Sequence, residues 1–267
     1  MKKIKIKRGS RFPNLNVLYE FGLEAGELMG RFKGLSQWDM QEGGIPVPIV
    51  DQAIGHLVIG RMKEEYPHIS VISSREKRMV SGSEFTVLFD LEGKKSSDHT
   101  TFSLAVVREG APTVAIIYNP FSRALWMARK GHGCRMNGRL VRVSDRETFE
   151  DARFYSTWLT GDEFLMQLDA SSTLSVRERF PGLPAVYQGG LLASGVYECV
   201  AYPSSGSCKA AVTQLIVEEA GGTFSDLHGE SIVHPCREDG RHDGVGFLAT
   251  NGVLHDAFVK HFATLLL

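Results

Sequence analysis

The residues between Val71 and Val143 form a series of short apolar runs separated by turn residues. Two β-branched runs, Phe102 to Arg108 and Thr113 to Asn119, are joined by Glu109-Gly110-Ala111-Pro112, which is typical of a hairpin. The Asn137-Gly138 dipeptide that follows is the strongest short hairpin signal that a sequence can carry. We therefore predict an antiparallel sheet in the first half of the chain.

Helical patterns lie on both sides of these strands in the sequence. Apolar residues recur at helical spacing from Leu15 to Phe32 and from Gln52 to Glu65, and Asp51 stands where an N-cap would be expected. After a weakly patterned stretch from Asp145 to Pro184, strands and helices alternate, which favours an α/β (α+β layered) fold. We expect one compact unit with an N-terminal α+β subdomain over residues 1–145 and a C-terminal α/β subdomain over residues 146–267.

Charge and composition exclude several classes of protein. The 267 residues include 30 Lys and Arg against 31 Asp and Glu, so the net charge of -1 provides no bulk attraction to nucleic acid or to an anionic membrane. The sequence contains no apolar signal-peptide segment and no run that could cross a bilayer, so we expect a cytoplasmic protein. The cysteines form no CxxC pair and are expected to be separate thiols in a reducing compartment; they are Cys134, Cys199, Cys208 and Cys236.

Two long strings carry a resemblance to a known family. They are NPFSRALWMARKGHGCRMNGRLVRVS from Asn119 to Ser144 and LIVEEAGGTFSDLHG from Leu215 to Gly229. From about Leu15 to its C-terminus the chain resembles the inositol monophosphatase family. This resemblance implies a sandwich of alternating helix and sheet layers, a homodimer, and a cluster of carboxylates that holds magnesium ions against a phosphate ester.

Most of the family's metal-binding motifs are altered in this chain. The first motif matches the run that ends at Asp51, whereas the second places Ser74 where the family has a glutamate, with Arg75 beside it and Glu76 two residues further on. The third motif, a turn in the family, retains Asp90 and offers Glu92 in place of a second aspartate.

Cationic residues occupy two further family positions. Lys94 stands at the place of the family's threonine, and Lys95 follows it. Counting back from Ala220 without gaps places Lys209 at the family's last metal-binding aspartate. Because an ammonium repels a divalent cation, this replacement argues against magnesium binding at that position.

Our leading hypothesis is an enzyme that keeps the anion site but no cofactor. It would bind a small phosphate or sulfate ester through cationic side chains and promote metal-independent elimination of the leaving group or intramolecular cyclisation. The candidate acid or base residues are Asp51, Asp90, Glu92 and, in the loop after Lys95, His99 with Asp98. The candidate anion-binding residues are Lys94, Lys95, Lys209, Arg75 and Ser74.

Two alternatives stay open. The first is a magnesium-dependent sugar, inositol or nucleotide phosphatase that uses Asp51 with a metal site formed by Asp90, Glu92 and Glu76. The second is a non-catalytic member of the family that acts as a partner subunit of another protein. For Asp51 alone, a role as a helix N-cap is an equal alternative to a catalytic role. We expect no nucleic-acid or membrane partner in any of these cases.

Overall fold

The computed structural model describes residues 12–33, 48–73, 77–93, 100–156, 183–234 and 245–265. The helices in these ranges are α1 (Leu15–Lys33), α2 (Pro48–Glu65), α3 (Ala185–Ala193), α4 (Ser207–Glu218) and α5 (His255–Leu265). The strands of the first sheet are β1 (Ser70–Ser73), β2 (Lys77–Arg78), β3 (Phe85–Glu92), β4 (Thr101–Arg108), β5 (Ala111–Asn119), β6 (Ala124–Arg129), β7 (Cys134–Met136) and β8 (Arg139–Leu140). The strands of the second sheet are β9 (Phe154–Ser156), β10 (Cys199–Ser205), β11 (Thr223–Ser225) and β12 (Val245–Thr250).

The first sheet has the strand order β2-β1-β3-β4-β5-β6-β7-β8. The predicted hairpins are confirmed, and both Asn137 (φ 49°) and Gly138 (φ 82°) have the positive φ that a type I′ turn requires. The expectation of a purely antiparallel sheet is wrong at one pair, because β1 and β3 run parallel. The chain turns back along β2 before β3 begins, so β3 enters beside β1 in the same direction.

Both faces of the first sheet are covered by helices. Successive side chains of β3 alternate between the two faces, so Val87 and Phe89 pack with α1 and α2 while Leu88 packs with α4. The second sheet, in the order β11-β12-β10-β9, lies between α3 and α4 on one side and α5 on the other. These layers of helices and sheets confirm the predicted α/β layered sandwich. The division into two subdomains stays a prediction.

The start of α2 differs from the sequence expectation. The helix begins at Pro48, so Asp51 lies inside the first turn and the prediction of an N-cap at Asp51 is wrong. Proline is favoured at the first helical position because its fixed φ suits the helix and its missing N–H has no partner to lose there. A half-buried carboxylate in this turn still interacts favourably with the helix dipole.

The turn between β6 and β7 is tied to the end of α4 by one carboxylate. Glu219 accepts hydrogen bonds from the backbone N–H groups of Gly131 (2.7 Å), His132 (3.0 Å) and Gly133 (2.6 Å). Three N–H groups that converge on one charged acceptor hold the turn in a single conformation.

Replacing Glu219 with alanine is expected to lower the free energy of unfolding by about 1–3 kcal/mol, because hydrogen bonds to a charged group contribute more than neutral ones. Urea unfolding of the purified variant measures this loss. The matched control is Glu218→Ala, since Glu218 is an exposed neighbour that bonds to Gln214 one turn away. Equal losses in the two variants would contradict the proposed tie.

Candidate active site

The C-terminal end of β3 presents two carboxylates on one face of the sheet. Residues two apart in a strand point to the same side, so Asp90 and Glu92 follow Leu88 on the face that packs against α4. In the family, the motif at this place is a turn. Instead β3 continues through Glu92, which pairs with Thr101 of β4, so both carboxylates are carried by the sheet.

The first turn of α4 brings a cation to these carboxylates. The helix begins after Gly206, whose extended backbone (φ -66°, ψ 149°) provides no side-chain cap. Lys209 then reaches across so that its Nζ lies 3.0 Å from Oε1 of Glu92. The side chains of Lys209 and Glu92 are 27% and 20% exposed, so the ion pair is only partly open to solvent. The structure therefore places Lys209 in contact with Glu92 and close enough to Asp90 to interact with its charge.

The first turn of a second helix, α3, also contacts the carboxylate of Glu92. Oε2 of Glu92 accepts a hydrogen bond of 3.4 Å from the backbone N–H of Val186 in the first turn of α3. Neither α3 nor α4 has an acidic residue in its first turn. The positive ends of two helix dipoles thus point at one region, which favours bound negative charge.

The neighbourhood raises the pKa of Lys209. Burial alone would lower it, but the charge of Glu92, the hydrogen bond to Glu92 and the charge of Asp90 together outweigh that effect. The pKa of Lys209 therefore lies above its usual value, and the side chain is an ammonium at neutral pH.

Sequence reasoning gave no role to several other residues at this site. Ser103 faces Asp90 across the β3–β4 ladder, and its Oγ lies 4.0 Å from Sγ of Cys208. Burial, with the charge of Asp90 next, raises the pKa of Cys208 well above its usual value, so this thiol is not an activated nucleophile. Tyr155 and Tyr202 also have raised pKa values, from burial first and with a smaller effect of Glu92. The strand register alone would have identified Ser103 as the neighbour of Asp90.

Of the remaining sequence candidates, only Asp51 lies among the described residues. Asp51 is half-buried in the first turn of α2, and its catalytic role stays a prediction. The others lie outside the described residues: Ser74, Arg75, Glu76, Lys94, Lys95 and His99 with its neighbour Asp98, and also the fourth cysteine, Cys236. Cys134 and Cys199 are buried free cysteines. Burial raises the pKa of both, which disfavours the thiolate form that binds metals.

The described part of the site offers the carboxylates of Asp90 and Glu92 as possible oxygen ligands for a magnesium ion. No group of three or more His, Cys, Asp or Glu side chains in the described ranges could hold a metal. Glu92, which would be a natural oxygen ligand, is already bonded to Lys209 through one oxygen and to Val186 through the other.

Among the described residues, no helix has the length and apolar character that crossing a membrane requires.

Comparison with known proteins identifies the family. The family model described as the inositol monophosphatase family matches residues 14–266. The chain belongs to the inositol monophosphatase family. This is a family of magnesium-dependent phosphomonoesterases. The resemblance inferred from the two strings is thereby confirmed.

Two relatives of the chain have different functional names. The chain is 28% identical over 249 residues to a histidinol-phosphatase from Streptomyces coelicolor, an alignment that covers 87% of this chain and 90% of the relative. It is 25% identical over 237 residues to the Nus factor SuhB from Pseudomonas aeruginosa, covering 81% of this chain and 86% of the relative.

Solved structures support the same fold. An inositol monophosphatase from Anabaena (Nostoc) sp. PCC 7120 superposes with a TM-score of 0.75 at 21% identity, covering 94% of this chain and 95% of that one. The IMPase of Thermotoga maritima gives a TM-score of 0.76 at 17% identity, with 94% and 97% covered. These similarities establish the family's architecture for the chain.

Proposed function

We propose that this chain is an enzyme that cleaves a small-molecule phosphate monoester where the end of β3 meets the first turns of α3 and α4, a region referred to below as the cleft. The observation that carries the proposal is the meeting of the Lys209 ammonium and two helix N-termini beside the carboxylates of Asp90 and Glu92. Family membership supports a phosphate ester as the substrate. The relative named histidinol-phosphatase indicates that the substrate need not be an inositol phosphate.

Each group in the cleft has a role in this proposal. Lys209 binds the phosphate oxygens as a point charge, and the first-turn N–H groups of α4 add donors, because the first four N–H groups of a helix have no intrahelical partner. Glu92 holds Lys209 in position through the 3.0 Å contact. Asp90, on the same face of β3, is the candidate base that removes a proton from the attacking group.

Hydrolysis of the ester is the first candidate for the reaction, since phosphomonoester hydrolysis is the reaction of the family. In hydrolysis, water attacks phosphorus, the P–O bond to the alcohol breaks, and the alcohol leaves with the proton. The alcohol part of the substrate is an inositol, a sugar, a nucleoside or histidinol. An assay with one phosphate ester of each kind distinguishes them.

A second candidate is metal-independent elimination or cyclisation, and the Lys209–Glu92 ion pair favours it. An ammonium can stabilise a departing phosphate without activating water. In this reaction a base takes a proton from the substrate, the C–O bond breaks, and phosphate leaves with the bonding electrons. The two candidates therefore differ in which bond of the ester is cleaved.

Oxygen-18 water distinguishes these reactions. The purified full chain is incubated with histidinol phosphate, inositol monophosphates, sugar phosphates and nucleotides in enriched water, either with magnesium or with EDTA. Hydrolysis places the heavy oxygen in the released phosphate, whereas C–O cleavage leaves the phosphate unlabelled. If no substrate releases phosphate under either condition, both candidates fail and the non-catalytic partner role is favoured. The Nus factor name of the SuhB relatives gives that role a precedent.

Replacing Lys209 with methionine, which keeps most of the unbranched side chain but removes the charge, is expected to lower kcat/KM about 10- to 100-fold, since a charge-assisted hydrogen bond contributes about 1.5–3 kcal/mol. Steady-state assays on the best substrate measure this loss. Lys209→Arg retains the charge and should recover part of the activity.

The matched control for this prediction is Lys260→Met. Lys260 is an exposed lysine of α5, a helix that packs on the second sheet away from β3. This variant should match the unmodified protein in kcat/KM. An unchanged kcat/KM in Lys209→Met would show that the Lys209 ammonium has no role in the reaction.

A further inference from the structure

A positive charge of the protein itself lies beside the two carboxylates at the end of β3. Asp90 and Glu92 lie two residues apart on one face of β3, and each is partly buried. Two carboxylates so placed attract a cation, because their charges are only partly screened by solvent. The described residues supply that cation themselves, as the Lys209 ammonium 3.0 Å from Oε1 of Glu92.

The ammonium and a divalent ion compete for the same oxygen. Magnesium binds carboxylate oxygens at about 2.0–2.1 Å and requires near-octahedral geometry. Oε1 of Glu92 is bonded to Lys209 and its Oε2 accepts from the N–H of Val186, so a metal at Glu92 would have to share these oxygens with groups of positive charge or partial charge. It would also lie close to a positive charge that is held by covalent attachment to α4.

We propose that Lys209 is a tethered cation that neutralises the Asp90–Glu92 pair and excludes divalent metal ions from it. Lysine attached to a helix cannot diffuse away, so the charge is present whatever the concentration of free metal. The consequence is a cleft that holds phosphate through protein groups at this position. The anion-binding part of this inference rests on the proposed function, but the exclusion of metal does not.

Charge reversal at one residue tests the inference by a readout other than activity. Manganese binding to the full chain is measured by electron paramagnetic resonance for the unmodified protein, Lys209→Asp and Lys209→Met. Lys209→Asp creates a third carboxylate beside Asp90 and Glu92, and its manganese affinity is expected to rise at least about tenfold. Lys209→Met removes the competing charge alone and should give a smaller rise.

Lys260→Asp is the matched control, because it makes the same change of charge on an exposed lysine of α5. The inference is overturned if Lys209→Asp gains no more affinity than Lys260→Asp, or if the unmodified protein binds manganese as tightly as Lys209→Asp. Circular dichroism verifies that each variant is folded. Should Lys209→Asp fail to fold, the comparison of Lys209→Met with Lys260→Met decides the question, since any gain must come from the lost ammonium.

The outcomes separate this inference from the proposed function. A chain that releases no phosphate but shows the expected order of manganese affinities contradicts the proposed function and supports the tethered cation. A chain that releases phosphate and binds manganese tightly in its unmodified form supports the proposed function and contradicts the tethered cation.

Discussion

Replacing Glu198 with alanine is expected to lower the free energy of unfolding by about 3–5 kcal/mol, because it removes a fully buried carboxylate from a network of charge-assisted hydrogen bonds and leaves the partners unsatisfied. Glu198 has no solvent exposure. One of its oxygens accepts from Ser144 Oγ (2.8 Å) and the other from the backbone N–H of Arg153 (2.6 Å), while the Arg153 guanidinium bonds to it at 3.1 Å. Arg146 lies 3.5 Å away. Urea unfolding monitored by circular dichroism measures the loss.

The control for Glu198 is an exposed ion pair on the same protein. Arg108 and Glu84 form a salt bridge at 2.6 Å with side chains 49% and 41% exposed. Glu84→Ala should cost only about 0–1 kcal/mol, because solvent screens such pairs. If Glu198→Ala cost no more than Glu84→Ala, the buried network would have no special role in stability.

The same carboxylate gives stability a dependence on acid. Burial would raise the pKa of Glu198, but the hydrogen bonds from Arg153 and Ser144 and the Arg153 charge outweigh it and hold the pKa below its ordinary value of 4.5. A lowered pKa in the folded state stabilises the fold above pH 4.5, and this contribution is lost as the pH falls through the folded value. In Glu198→Gln this part of the acid dependence should be absent.

Replacing Trp126 with alanine should cost about 3–5 kcal/mol as well, since it opens a large cavity in the core. Trp126 of β6 is fully buried, and its indole N–H donates to Ser194 Oγ at 2.9 Å. Helix α3 lies so close to the ring that a Cβ added to Gly190 would stand 2.7 Å from it. Trp126 therefore seats the helix that directs the Val186 N–H towards Glu92.

Chemical denaturation tests this expectation, with Leu140→Ala as the control because Leu140 is 58% exposed. Trp126→Phe keeps much of the apolar volume but loses the bond to Ser194, and it should fall between the two. A loss in Trp126→Ala as small as that in Leu140→Ala would mean that α3 is held by other contacts.

Local chemistry determines which parts of the fold the sequence predicts. The turn at Asn137-Gly138 was predictable because its backbone conformation depends on those two residues. The parallel pairing of β1 with β3 was not, since pairing partners are selected by packing over long separations. The prediction of an N-cap at Asp51 failed because an acidic residue inside the first turn and one at the N-cap look alike in sequence, and the preceding Pro48 starts the helix.

The same distinction applies to the candidate site. Lys209 was predicted as a site residue by counting back from Ala220 without gaps, and such a count needs only the local sequence. The contact of Val186 with Glu92 joins residues 94 positions apart and depends on how α3 docks, which no local pattern records. Glu198 was missed for a related reason: a single charged residue near apolar neighbours looks like a solvent-facing position until its buried partners are known.

The distance in sequence between Lys209 and Glu92 has a consequence for how the protein acquires its chemistry. The two residues are 117 positions apart, one on the first sheet and one on a helix that also packs on the second. Closing so long a segment carries an entropic cost that is recovered only when both layers have docked. During refolding, ligand binding should therefore appear after the bulk of the secondary structure, so the cleft reports on completed assembly of the layers.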